Sequence, residues 1–425
     1  MDDETLLSIL RSEIGSLGKK ILDDFSEERN LGEINDHVEE FEDFVHERVK
    51  KERGVEKAEN VVDRIKKERF IDQIETLKEK PKSKIRSMNI FESLKELGNV
   101  CLNLNKLEEA GDYFESLVEK SKEIDNEKLK AEALILQAEY HLLLNQLQKV
   151  EENAKKIIEL GEKAEDDDIF GEGMRLAGLV SWRRDDVKEG IRYLDQAFDR
   201  FDRSGSKEKS AVVQRELGDI KVSQDDLESA LENYRASAEL FEEANMPFES
   251  VNMLQEIGMI LSELDRDDEA IDHFERAMKI CEENSFVVYH AWSLFNLGEL
   301  YLENGEKEKA ETYLERAIAS FEESGDLYGE AGAKLTIAGS LMEKGDLSKA
   351  EKMLHDALRL FKKLEMPEST AEVLYRLSEI HAEEERFDGA VEELENALKI
   401  YDSLDMSDIK DEIESKIADL TKHLK

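Results

Sequence analysis

The sequence contains eight histidines, two cysteines and 103 aspartates and glutamates, the side chains that metal binding, thiol chemistry and acid–base catalysis draw on. Their spacing supports none of the three. His37 and His46 stand nine residues apart, too far for ligands on adjacent helical turns, and there is neither an HExxH pair nor a phosphate-cradling glycine loop. His141, His273, His290, His355, His381 and His423 are scattered, and Cys101 and Cys281 lie far apart without metal-ligand spacing or a disulfide framework. On so acidic a chain, carboxylates meet without any function. Catalysis needs groups that converge, so the sequence predicts no catalytic residue, no cofactor, no metal and no enzyme. The chemistry expected of it is recognition.

The elements that would position a recognising surface are read from a period of forty. Stepping from Gly98 gives Ala138, Gly178, Gly218, Gly258, Gly298, Ala338 and Ser378; a second small position runs Ala110, Val150, Gly190, Ala230, Ala270, Ala310, Ala350 and Ala390. A bulky register follows at Phe201, Phe241, Cys281, Phe321, Phe361 and Tyr401. Eight copies without insertion make an internal repeat. Each copy holds two amphipathic helical patterns around a polar turn, such as NGEK at 304–307. In the sixth copy Leu294, Leu297, Leu300 and Tyr301 mark the first helix, and Tyr313, Leu314 and Ile318 the second. Small residues at 298 and 310 are expected where the two helices cross, letting their axes close to the short end of the usual range of about 8–10 Å. Between hairpins the chain is expected to turn at RSGS 203–206, NMP 245–247, ESGD 323–326 and EMP 365–367, with Pro247 and Pro367 at one shared loop position.

A chain of 425 residues would ordinarily divide into domains, but a repeat array grows as one body because each unit packs on its neighbours. The reading is an N-terminal helical module over 1–90, eight repeats over 91–402 and a capping segment over 403–425. In the last of these Ile409, Ile413, Ile417 and Leu420 form the single apolar stripe a cap requires. Residues 1–90 do not obey the period: Phe70 is bulky where a small residue is due. Three helices are expected there, with stripes from Leu6 to Phe25, from Ile34 to Val49 and from Val55 to Ile74. They bury one another as a bundle, cap the array, or pair with a second copy; self-association stays open.

The net charge of −43 favours basic partners and disfavours nucleic acid. It changes sign locally, from about −10 over 1–46 to about +5 over 47–86, where basic residues are interleaved with Glu52, Glu56, Asp63 and Glu68. No apolar run reaches the roughly eighteen residues of a membrane span, and the start, MDDETLLSILRSEIG, is acidic where a signal peptide would be basic. A cytoplasmic protein is expected, without a membrane partner.

The small-residue signature, with an aromatic near the end of the second helix, resembles the tetratricopeptide repeat in its forty-residue form. The resemblance implies an all-α, right-handed α-solenoid of eight helical hairpins whose first helices line a groove for a peptide, a helix or a folded protein. The groove residues it implies, three before each glycine position, are Lys95, Ile135, Arg175, Arg215, Gln255, Phe295, Leu335 and Tyr375. Asn99, Trp182, Asn296, Glu299 and Met342 join them. An acidic or polar part of a ligand is expected near Arg175 and Arg215, and an apolar anchor near Phe295, Leu335 and Met342. Lys95 and Asn99 also match the opening of the carboxylate-clamp tetratricopeptide domains, but Leu136, Glu172 and Leu176 stand where that clamp needs polar and basic groups. Chaperone-tail binding is therefore not the reading. Asn296 within FNLG resembles the groove asparagine of the kinesin light chain group, and its amide suits a peptide bond. The leading function is a protein–protein interaction scaffold. The alternative is a partner- or peptide-sensing regulator with the N-terminal module as effector, a layout similar to the Rap-type response-regulator phosphatases.

Overall fold

The computed structural model describes residues 84–424 apart from 125 and 405, together with 9, 44–46, 49, 61–67 and 69–71. From residue 84 onward the described chain is helical, in eight hairpins and a final helix. The first four hairpins are α1 (Lys84–Asn103) with α2 (Leu107–Lys122), α3 (Glu127–Leu143) with α4 (Leu147–Ala164), α5 (Asp167–Arg183) with α6 (Val187–Ser204), and α7 (Lys207–Ser223) with α8 (Leu227–Glu243). The next four are α9 (Pro247–Glu263) with α10 (Asp267–Asn284), α11 (Val287–Glu303) with α12 (Lys307–Ser324), α13 (Leu327–Glu343) with α14 (Leu347–Lys363), and α15 (Pro367–Glu383) with α16 (Phe387–Ser403). The final helix α17 spans Ser407–Thr421. Paired hairpins repeated in this way are the fold class of an α-solenoid. The chain forms two compact units, Met1–Met253 and Leu254–Lys425. No helix among the described residues is long and apolar enough to cross a membrane.

Why the helices stop is visible in the backbone. Asn105, Asn145, Asp185, Asp225, Asp265, Gly305, Gly345 and Glu385 all have positive φ, between 54° and 79°, at the turn inside each hairpin. Glu165, Gly205, Asn245, Ser285, Gly325 and Glu365 do the same between hairpins. The left-handed residue lets the next amides fold back onto the last carbonyls, as Gly305 N does on Leu302 O at 2.9 Å and Glu306 N on Tyr301 O at 2.8 Å. Asn, Asp and Gly adopt this conformation at low cost, whereas glutamate does not. Glu385→Gly, which copies its equivalents Gly305 and Gly345, is therefore expected to stabilise the chain by about 0.5–1 kcal/mol. The check is the midpoint of urea unfolding, which should rise; an unchanged or lower midpoint would count against this account of the turn. Pro247 and Pro367 correct an expectation: each is the first residue of its helix and not a loop residue, the position where a missing N–H costs nothing.

Every residue of the two small registers is buried, and the reason differs between copies. At most crossings the first-helix glycine receives a large side chain: a Cβ at Gly298 would lie 2.6 Å from Leu314 Cγ, and one at Gly258 2.6 Å from a Phe274 ring carbon. Backbone meets backbone at Gly178 and Gly190, where a Cβ on 190 would sit 3.1 Å from Gly178 O. The apolar core is a series of small clusters, each closed by one hairpin and the first helix of the next. One joins Leu294 of α11, Leu314 and Phe321 of α12, and Ile337 of α13. The last is closed by α17, whose Ile413 is fully buried against the eighth hairpin, with Ile409, Ile417 and Leu420 packed beside it. α17 is thus an additional C-terminal helix packed on the last hairpin.

Of the N-terminal stripes, Val45, Val49, Val62 and Ile65 are buried; the others, most of the basic segment 47–86, and the arrangement of the three helices lie outside the described residues. Phe70 and Ile71 pack on the core of the first hairpin, and the buried Lys67 pairs with Glu109 of α2. These described residues pack on the first hairpin.

Candidate functional site

The faces that pack hairpins together use one stripe of each first helix. On α11 that stripe is Ala291, Leu294, Gly298 and Tyr301, all buried. Trp292, Phe295, Glu299 and Leu302, spaced three or four apart, form the adjoining stripe and are only partly buried. The predicted groove residues occupy this second stripe in every copy, and what they touch differs between the two units.

In the first unit two of the stripe's cations, Lys95 and Arg175, are engaged by the chain's own carboxylates. Lys95 reaches Glu92 at 2.8 Å and Glu132 of the next first helix at 2.9 Å. Arg175 is buried and is not the open cation expected from the sequence. Its Nε meets Glu172 at 2.9 Å, Nη1 meets Glu216 at 2.7 Å and Nη2 meets Glu139 at 2.7 Å, joining α3, α5 and α7. Lys209 adds a further contact to Glu172 at 3.4 Å. Burial works against the guanidinium charge, but Glu216, Glu172 and Glu139 outweigh it and hold Arg175 protonated. Burial pushes the Glu216 carboxyl above the usual range against the pull of Arg175, and Glu216 Oε2 is buried without a hydrogen-bond partner among the described residues. An anionic ligand at Arg175 would meet three carboxylates first. Arg215 and Asn99 are half-buried, and Trp182 packs beside the cluster of Leu194 and Phe201.

The second unit leaves part of the stripe open. At its start Gln255 is occupied, its amide donating to Tyr289 O and Ser293 Oγ, both at 2.9 Å. At its end Tyr375 is covered by the cap: its hydroxyl donates to Glu412 at 2.7 Å, and Lys416 contacts that oxygen and lies 4.1 Å from the ring centre. This corrects its reading as an open groove residue, because a cap helix must bury the last exposed stripe. Between these ends lie Phe295, Asn296, Glu299, Leu335 and Met342, all half-buried. Phe295 stands edge-on to Trp292 with ring centres 5.6 Å apart; Trp292 is fixed by a hydrogen bond to Asp326 at 3.1 Å and faces Tyr328, which is 50% exposed. The Asn296 amide makes no hydrogen bond among the described residues.

Glu299 is the perturbed group of this stretch. Burial, with the neighbouring Glu303 carboxylate, pushes it up to about 7, against the Thr336 hydroxyl, which donates at 3.4 Å and pulls it down. The folded value lies above the ordinary 4.5, so its contribution to stability is complete below about pH 4.5 and is lost as the pH rises through about 7. Glu299→Gln is therefore expected to raise stability at pH 8 by roughly 2 kcal/mol, a value discounted for partial exposure, and to change little at pH 5. Urea titrations at the two pH values measure it; equal shifts at both would contradict the assignment.

Sequence reasoning missed the carboxylates around Arg175, the signal for which was their place in adjacent copies. It also missed that Glu351 gathers His381 at 3.1 Å, Arg386 at 2.8 Å and His355 at 3.9 Å. Among the described residues no group of three or more His, Cys, Asp and Glu is placed to hold a metal ion. Both cysteines are free and buried.

The model of the tetratricopeptide repeat family matches residues 249–323 and 330–403. No curated protein matches the chain in sequence. Among solved structures, the chain is similar to a signal transduction ATPase with numerous domains from Pyrococcus horikoshii, described as having a tetratricopeptide repeat sensor. That match has a TM-score of 0.59 and 16% identity, and covers 83% of this chain and 55% of the other. The chain thus spans about half the length of that protein. A second similar structure is the apo form of RapI, with a TM-score of 0.57, 12% identity, and coverage of 79% of this chain and 98% of RapI.

Proposed function

We propose that this chain, a helical-repeat protein of the tetratricopeptide type, is a sensor that takes a peptide or protein segment on the open stripe of its second unit and passes occupancy to an effector at its N-terminal end. A module for protein–protein interaction is the broader statement. Within it the scaffold and the regulator differ in whether binding has an output. The two solved structures described above fall on the regulator side, one described as carrying a repeat sensor and the other a Rap protein. That likeness supports the regulator reading over the scaffold.

The observation that carries the proposal is the contrast between units. Lys95 and Arg175 are consumed by carboxylates of the chain itself, whereas Phe295, Asn296 and Leu335 offer an aromatic face, an unengaged amide and an aliphatic floor side by side. Aromatic anchors beside a peptide-reading amide are what a segment-binding surface needs. Hydrogen bonds such as that from Trp292 to Asp326 hold the anchors in place before a ligand arrives, which lowers the ordering cost of binding. The N-terminal end is tied to the array through Lys67 and Phe70, so substitution there separates output from input.

Affinity capture from extracts of the source organism, using the full chain, a Phe295→Ala/Asn296→Ala/Leu335→Ala variant and a Lys67→Glu variant, tests the reading. A sensor should lose one partner with the triple variant and a different one with Lys67→Glu. Partners indifferent to Lys67→Glu would favour the scaffold, and partners retained by the triple variant would remove the second unit's stripe from the account.

A further inference from the structure

The open stripe has a shape that its equivalents in other copies lack. On α13 the stripe runs Tyr328, Gly332, Leu335, Gly339 and Met342; a Cβ at Gly332 would meet nothing within 4 Å, and one at Gly339 only Arg376 Nη1, at 3.6 Å. Two absent side chains leave a recess over Leu335. Phe295, Asn296 and Glu299 of α11 stand on one side of it. Toward α15 and α17 the same face continues into a cleft of about 450 Å³ with Met342, Ala382, Leu394 and Leu420 among its lining.

Charge around this apolar path is one-sided. Glu299 and Glu303 come from α11, Glu379 and Glu383 from α15, and Asp419 from α17. The nearby cations are already engaged: Lys416 with Glu379 at 3.2 Å and Glu412 at 3.6 Å, and Arg376 with Glu372 at 3.0 Å. Glu383 has no ion-pair partner among the described residues. An occupant must therefore fill an apolar cleft and bring positive charge; acidic segments and phosphate-bearing surfaces are repelled.

Resting on the proposed function, we propose that the occupant is a cationic amphipathic peptide segment, with an aliphatic or aromatic side chain in the Met342–Ala382 cleft, a lysine or arginine toward Glu299, and its backbone read by the Asn296 amide. Each group then has a task its surroundings in the chain do not supply. Asn296 gains a donor and an acceptor, Glu299 gains a counter-ion, and the cleft is filled. The partly buried setting of Glu299 strengthens its attraction for a cation relative to a fully solvated carboxylate.

The test selects phage-displayed random dodecapeptides on the immobilised full chain in 0.3 M salt, then measures synthetic copies of the winners by fluorescence anisotropy, with circular dichroism confirming the fold of each variant. The expected winners carry lysine or arginine within a few residues of leucine, isoleucine, methionine or phenylalanine. Their affinity is expected to fall at least fivefold with Glu299→Gln/Glu303→Gln and at least tenfold with Ala382→Trp, which fills the cleft; Met342→Ala, which empties it, gives a milder loss. The charge-matched pair Glu308→Gln/Glu315→Gln on α12 should leave affinity unchanged. Winners that are acidic, or that ignore Glu299→Gln/Glu303→Gln while still being lost with Ala382→Trp, would overturn the cationic class and leave the binding face standing. Winners indifferent to every variant, or no enrichment at all, would overturn both.

Discussion

Arg175→Met is expected to destabilise the first unit by about 3–5 kcal/mol, the cost of leaving buried carboxylates without their cation. Three acids meet this guanidinium, and Glu172 and Glu216 have side chains only 11% and 7% exposed. Deprived of Arg175 they must take up protons or draw in water, so the loss should be largest at high pH and shrink as the solution becomes acidic. Replacing the group as a whole gives the opposite result. An apolar set such as Arg175→Met/Glu172→Met/Glu216→Leu removes the desolvation cost along with the attraction, and buried ion networks exchanged this way are often neutral or more stable. Urea unfolding of the two variants separates the readings: if the single and triple variants were equally unstable, Arg175 would be acting through packing and not through charge.

Gly161→Phe is expected to cost about 3 kcal/mol, the upper end of overpacking, although phenylalanine is the residue found at equivalent positions in later copies, Phe201, Phe241, Phe321 and Phe361. In the second hairpin that place is glycine and the following helix has moved into it: a Cβ at Gly161 would lie 2.5 Å from Phe170 N and 2.7 Å from Phe170 Cα. Backbone does not rotate away as a side chain does, so α4 and α5 must separate. Gly298→Ala is the milder contrast, because its nearest neighbour is the Leu314 side chain, which must shift, and the better helix propensity of alanine, about 1 kcal/mol, offsets part of that cost. Melting temperatures should fall by several degrees for Gly161→Phe and by clearly less for Gly298→Ala. A neutral Gly161→Phe would mean that the second hairpin tolerates the regular packing after all.

These two cases mark how far the sequence could be read. The period placed the helices and the hairpins, because Gly298 and Ala310 each answer a demand for small size that recurs along the array. It could not show what a residue touches in the neighbouring copy. Arg175 read as an open cation since its three acids lie at 139, 172 and 216, two of them in adjacent repeats. Tyr375 read as groove because nothing at that position signals the approach of Glu412 and Lys416 from α17. The five half-buried residues between Gln255 and Tyr375, namely Phe295, Asn296, Glu299, Leu335 and Met342, were legible as a set only by where the copies differ. The two glycines that open the recess between them follow no period, and the left-handed turn residues were visible only as polar letters.

On the proposed function, the first-helix face of the sixth and seventh hairpins receives the partner. The most direct test of this is site-specific photo-crosslinking in cells of the source organism, with a benzophenone side chain installed at position 295 on α11 in one chain and at position 315 on α12 in another. A crosslinked partner is expected from 295 and none from 315, with the product abolished when Leu335→Ala is added. A product from 315 alone, or equal products from both positions, would contradict it.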